Sequence, residues 1–165
     1  EDKAFVGRIG VSPRVGVEFG TSYYKGAYDD EDCKCFSMLG FDAEYRKGKY
    51  EWLWEYATIN LEGTYLDRPQ SMKGYYVEYR YHAFQDYLAK KLPRFNNPVI
   101  TLFGRIGSVN LDVDNGYITN RYMVGFNFRP IETVVYKLEF QVEDADTPKN
   151  DSHIKKLIAS LAVGF

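Results

Sequence analysis

The chain has 165 residues, enough for one domain and too few for two, and its 21 lysines and arginines nearly balance 23 aspartates and glutamates. A net charge of −2 supplies no overall field to draw nucleic acid or an anionic surface. No apolar run approaches the ~20 residues of a membrane-spanning helix, but a mean hydropathy of −0.42 is compatible with alternating strands, whose two faces average out.

Nine stretches alternate with period two, the signature of strands with unlike faces. The first sets Phe5, Ile9 and Val11 against Arg8 and Ser12, and the second Val15, Val17, Phe19 and Tyr23 against Arg14, Glu18 and Ser22. Next come Leu39, Phe41, Ala43 and Tyr45 against Asp42, Glu44 and Arg46, then Tyr50, Trp52, Trp54 and Tyr56 against Glu51 and Glu55. The fifth opposes Tyr75, Val77, Tyr79 and Tyr81 to Glu78, Arg80 and His82. Residues 99–111 alternate poorly, and Arg105 is placed on the polar face there. The seventh sets Tyr122, Val124, Phe126 and Phe128 against Arg121, Met123, Gly125, Asn127 and Arg129. The eighth sets Val134, Tyr136, Leu138, Phe140 and Val142 against Lys137, Glu139, Gln141 and Glu143. In the last, Leu157, Ala159, Leu161, Val163 and Phe165 form an apolar stripe against Lys156, Ile158, Ser160, Ala162 and Gly164.

The fold class that follows is all-β and antiparallel. A soluble sandwich or lipocalin-like cup would also alternate, with its apolar face inward. Two features favour a transmembrane β-barrel with that face outward. The 15 Tyr, 11 Phe and 2 Trp exceed what a core of this size would bury, and many stand near strand ends, where a barrel presents amphipathic rings to the headgroup levels. The connections also differ by side. Short links at 12–14, 47–49 and 130–132 oppose long polar ones at 24–34, 62–71, 112–120 and 144–152, as expected for periplasmic turns and extracellular loops. The segment 84–98, FQDYLAKKLPRFNNP, breaks the rule and reads as a periplasmic excursion with a short helix in DYLAKKL.

Nine strands leave the two ends of the chain on opposite sides, whereas bacterial single-chain barrels have an even number. The expectation is therefore a single domain, residues 1–165, that is the C-terminal part of a larger barrel. The opening EDKAF carries no signal peptide, as in a mature secreted form or a fragment. Closure of nine strands by a parallel pair, or of eight after merging two, are the alternatives.

Other chemistry is sparse. Cys33 and Cys35 are two loop thiols or a strained local disulfide; a metal site with Asp29, Asp30, Glu31 and Asp32 lacks a nearby histidine. His82 and His153 are the only bases of their kind, and Asp151, Ser152 and His153 lie together in sequence, the basis for an enzyme alternative such as a lipid hydrolase or protease. Neither a catalytic residue nor a cofactor is assigned.

GRIGVSPRVGVEFGTSYYKGAYDDE, FDAEYRKGKYEWLWEYATINLEG, GYYVEYRYHAF and NRYMVGFNFRPIETVVYKLEFQVED, with LIASLAVGF, resemble the C-terminal half of the phosphate-selective porins of the O and P type. The resemblance spans nearly the whole chain. It implies a bacterial outer-membrane porin, in a family commonly of about 16 strands and trimeric, passing small solutes. The terminal stripe ending at Phe165 resembles the signal read by the barrel-assembly machinery. Pore-lining bases by strand parity are Arg8, Arg14, Arg46, Arg80, Arg105, Arg121, Arg129 and Lys137, faced by Glu18, Asp42, Glu44, Glu51, Glu55, Glu78, Glu139 and Glu143. Equal numbers of each sign give no charge selectivity, so the relatives' anion preference does not carry over. A structural barrel that sheathes or docks a partner protein is the remaining alternative.

Overall fold

A computed structural model describes residues 3–27, 34–63, 69–95, 97–146 and 152–164. Nine strands run β1 (Ala4–Arg14), β2 (Val17–Ala27), β3 (Cys35–Lys47), β4 (Tyr50–Leu61), β5 (Ser71–Ala83), β6 (Val99–Asn110), β7 (Ile118–Ile131), β8 (Val134–Asp146) and β9 (Ser152–Val163), with one helix, α1 (Gln85–Lys91), between β5 and β6. Each strand pairs antiparallel with its neighbours in the chain, forming a single meander sheet in the order β1 to β9. The expected all-β antiparallel architecture is thus observed, but the sheet is open: β1 pairs only with β2, and β9 only with β8.

Unbroken register through the middle of the sheet gives each face its own predominant chemistry. Directly opposed residues share a face, so Thr21, Phe41, Tyr56 and Tyr75 form one cross-strand row. Tyr45, Trp52 and Tyr79 form another, and Val124 and Phe140 continue the same face beyond. Arg46, Glu51 and Arg80 stand in a row on the opposite face.

Burial is inverted relative to a soluble domain. Among the described residues the buried apolar side chains are few, Ala83, Val99 and Phe103 among them, whereas Glu51 and Glu78 are only 4% and 2% exposed. Trp52, Tyr75, Tyr122, Val124 and Phe140 lie open on the aromatic face. A water-soluble chain places these classes the other way round.

Tight turns join β1 to β2, β3 to β4 and β7 to β8, all at one end, here the turn end. Gly16 has φ 79° and a Cβ there would stand 2.1 Å from the Arg46 carbonyl oxygen; its own carbonyl accepts from the Arg46 N–H at 2.6 Å. Only glycine satisfies both the left-handed backbone and the contact. The 84–98 connection shares this end and contains the expected helix. No helix among the described residues is long and apolar enough to cross a membrane. Cys33, the acidic residues 29–32, Asp151 and Phe165 lie outside the described residues.

Candidate functional site: the charged face

Long charged side chains at period two along adjacent strands come within reach of one another only when register aligns them, and here register builds a network. Glu51 is its hub. Arg46 Nη2 and Arg80 Nη1 donate to its Oε1 at 3.3 and 3.2 Å, and His82 Nε2 donates to its Oε2 at 3.1 Å. Arg46 also pairs with Glu44 at 2.7 Å. Glu78 receives the Nε groups of both Arg80 and Arg105. The Arg105 guanidinium lies 4.6 Å from the centre of the Tyr76 ring, and Tyr76 stands opposite Glu55 in register. Two deeply buried carboxylates are therefore each held by at least two cations, which is what makes their burial tolerable.

Nearer β1, Arg8 reaches across β2 to Asp42 at 2.8 Å. Gly20 makes the span possible, because a Cβ there would stand 2.5 Å from the Asp42 carboxylate and 2.7 Å from Arg8 Nη2. Toward β9, Glu143 receives Arg121 at 3.0 Å and Gln141 at 2.9 Å, with Lys156 Nζ 3.6 Å away. Lys156 joins the network although its strand alone gave it no partner.

The structure brings Arg8, Arg46, Arg80, Arg105 and Arg121 into ion pairs on one face. Arg129 and Lys137 stand on the same face, opposite Val99 and Asn127, with no carboxylate within ion-pair distance among the described residues. Arg14 departs from the parity expectation. The bulge between Val11 and Arg14 brings it opposite Val17, which faces Tyr45 on the aromatic side. All eight acids named from parity keep the charged face, as their partners in register require.

In the loop-ward half of the charged face the side chains shrink. Ser22, Gly40, Ala57 and Gly74 stand in one cross-strand row and floor a trough of about 600 Å³. Arg8, Asp42, Glu44, Glu55 and Lys73 also line the trough, so charged side chains border its small-residue floor.

The two histidines do not meet. His82 lies near the turn end on the charged face, its Nδ1 2.9 Å from the Thr101 hydroxyl. His153 lies at the loop end on the aromatic side, paired with Asp144. Ser152 sits opposite Ala145 on the other face, so sequence adjacency does not bring its hydroxyl to His153. No cluster of metal-ligating residues occurs among the described residues.

At the loop end, Asp112 closes the β6–β7 connection. Its carboxylate accepts from the Asn115 side-chain amide at 2.7 Å and from the backbone N–H groups of Asn115 and Asp114 at 3.1 and 3.2 Å. These bonds, the Asn115 amide foremost, hold its pKa below the usual carboxylate range.

No protein-family model, curated protein or solved structure matches this chain.

Proposed function

We propose that the sheet is part of the wall of an outer-membrane, porin-like β-barrel through which small solutes diffuse, its aromatic face in lipid and its charged face lining a wet lumen. The observation that carries this reading is the inverted burial: Trp52, Tyr75, Tyr122 and Val124 open, Glu51 and Glu78 buried among arginines. Hydrocarbon is the solvent that stabilises the first group where they stand.

Two further features support it. Strands of 11 to 14 residues, tilted ~45° at ~3.3 Å per residue, rise roughly 26–33 Å, enough to cross the ~25 Å apolar band of such barrels. The unpaired outer edges of β1 and β9 must be covered, since a free edge in lipid leaves backbone groups without partners. Because β1 and β9 run in the same direction, antiparallel closure takes an odd number of further strands. A porin of the phosphate-selective O and P type, which the sequence resembles, supplies such a number when closed at about 16 strands. The paired charges on the wall give the lumen no dominant sign. Assembly as a homotrimer and insertion by the barrel-assembly machinery belong to the same reading, as does the absence of catalysis.

The test is reconstitution of the full-length protein. Detergent-dependent extraction, heat-dependent gel mobility and stepwise conductance in a planar bilayer are the expected results. A protein that stays in solution without detergent, or a bilayer that stays sealed at high loading, would overturn it.

A further inference from the structure

We propose that the 84–98 connection is an interfacial anchor that seats on anionic phospholipid headgroups at the turn end, an inference that rests on the aromatic face lying in lipid. The connection's return limb sets its direction. Phe95 packs edge-on against Phe128, with ring centroids 6.5 Å apart and planes at 84°, and Phe128 in turn stacks on Tyr136 at 6.4 Å. Phe128 and Tyr136 belong to the aromatic face, opposite Ile100 and Leu161. This limb therefore folds out over the lipid side of the rim instead of inward beneath the lumen.

Exposure and charge identify the occupant. Tyr87 on α1 is 60% exposed and Phe84 59%, two rings at the level where a barrel carries its aromatic girdle. The turn-end segments hold Arg14, Lys47, Lys49, Lys90, Lys91 and Arg94 against Asp86, while Arg129 and Glu132 offset each other. Acids predominate at the opposite end, where the described connections hold Glu62, Asp112 and Asp114 against Lys34, and β8 ends in Asp144 and Asp146. A nearly neutral chain thus presents a cationic end and an anionic end. Exposed rings interleaved with Lys90, Lys91 and Arg94 complement a phosphate-bearing surface, with the rings at the acyl boundary and the cations at the phosphates.

The test places a spin label at position 87, and a second at position 140 in the middle of the aromatic face, each as a single cysteine with Cys33 and Cys35 replaced by serine. The full-length protein is reconstituted in vesicles of phosphatidylcholine alone or mixed with phosphatidylglycerol, and collision with an aqueous nickel chelate is measured. The expected result is a label at 140 shielded in both lipids, and a label at 87 whose nickel accessibility falls about fivefold when the anionic lipid is added. The triple variant Lys90→Gln, Lys91→Gln, Arg94→Gln should abolish that fall, since it removes the three cations that favour the anionic surface. A label at 87 equally open in both lipids, with position 140 shielded, overturns the anchor and leaves the barrel standing. A label at 140 open to nickel overturns the barrel reading and the anchor with it.

Discussion

The two faces of this sheet share one backbone and one register yet obey opposite rules. On the aromatic face, Trp52 stands next to Tyr79 with ring centroids 4.7 Å apart, and Tyr79 also stacks on Tyr50 of the same face at 6.4 Å. On the charged face, Glu51 and Glu78 are enclosed by the guanidinium groups that neutralise them. The lesson is that polarity need not predict exposure: under the proposed reading, what decides is which face meets water and which meets hydrocarbon. On that reading one face gains from uniform apolar surroundings, whereas the other holds together through specific, directional pairs.

The largest effect should come from putting charge on the wrong face. Val124→Arg, near the middle of β7 at a position 59% exposed, should destabilise the lipid-embedded protein by about 3 kcal/mol. Urea unfolding in liposomes measures it; an effect within about 0.5 kcal/mol, the ordinary result for an exposed site in water, would erase the distinction between the faces. Next, Glu78→Ala strands Arg80 and Arg105 together without their shared acid and should cost about 2 kcal/mol, less than for a fully buried pair because both arginines reach partly into solvent. The same titration reads it, and Glu78→Gln should recover part of the loss. Gly20→Ala is expected to separate Arg8 from Asp42 at a cost of about 1 kcal/mol, and pairing it with Arg8→Ala in a double-mutant cycle should remove most of that penalty. The smallest effect belongs to Asp112, outside either face. Its folded-state pKa is depressed, so the stability it lends the β6–β7 connection is present above the unfolded value of about 3.9 and is lost as pH falls through the lower folded value. Hydrogen exchange at the Asp114 and Asn115 amides should therefore lose protection in acid beyond the normal pH dependence of exchange, and Asp112→Asn should remove the extra loss.

Period two made both faces legible before any coordinates, and the three tight turns were visible as short links at 12–14, 47–49 and 130–132, although the turns themselves fall at 15–16, 48–49 and 132–133. Residues 99–111 obscured the pattern for a specific reason. Phe103 sits on the charged face and fills the space above Gly125, where a Cβ would lie 2.9 Å from its ring, so an aromatic stands where parity calls for polarity. Arg14 was misplaced because a bulge shifts the register at the end of β1, and bulges leave no trace in an alternation pattern. The ion pairs were only half legible: Glu51 with Arg46 follows from neighbouring strands, but Arg8 with Asp42 skips a strand and depends on Gly20, which no pairwise reading of alternation reveals. Closure was not legible either, because strand parity counts directions and says nothing about what covers an edge.

Every strand contact in this sheet joins segments adjacent along the polypeptide, from β1–β2 through β8–β9. Such a wiring diagram lets the wall grow as a zipper, each hairpin offering its outer strand as the template for the next, with no distant segment required before the neighbouring one can dock. Loss of a hairpin from either margin then shortens the wall without severing any pairing that remains.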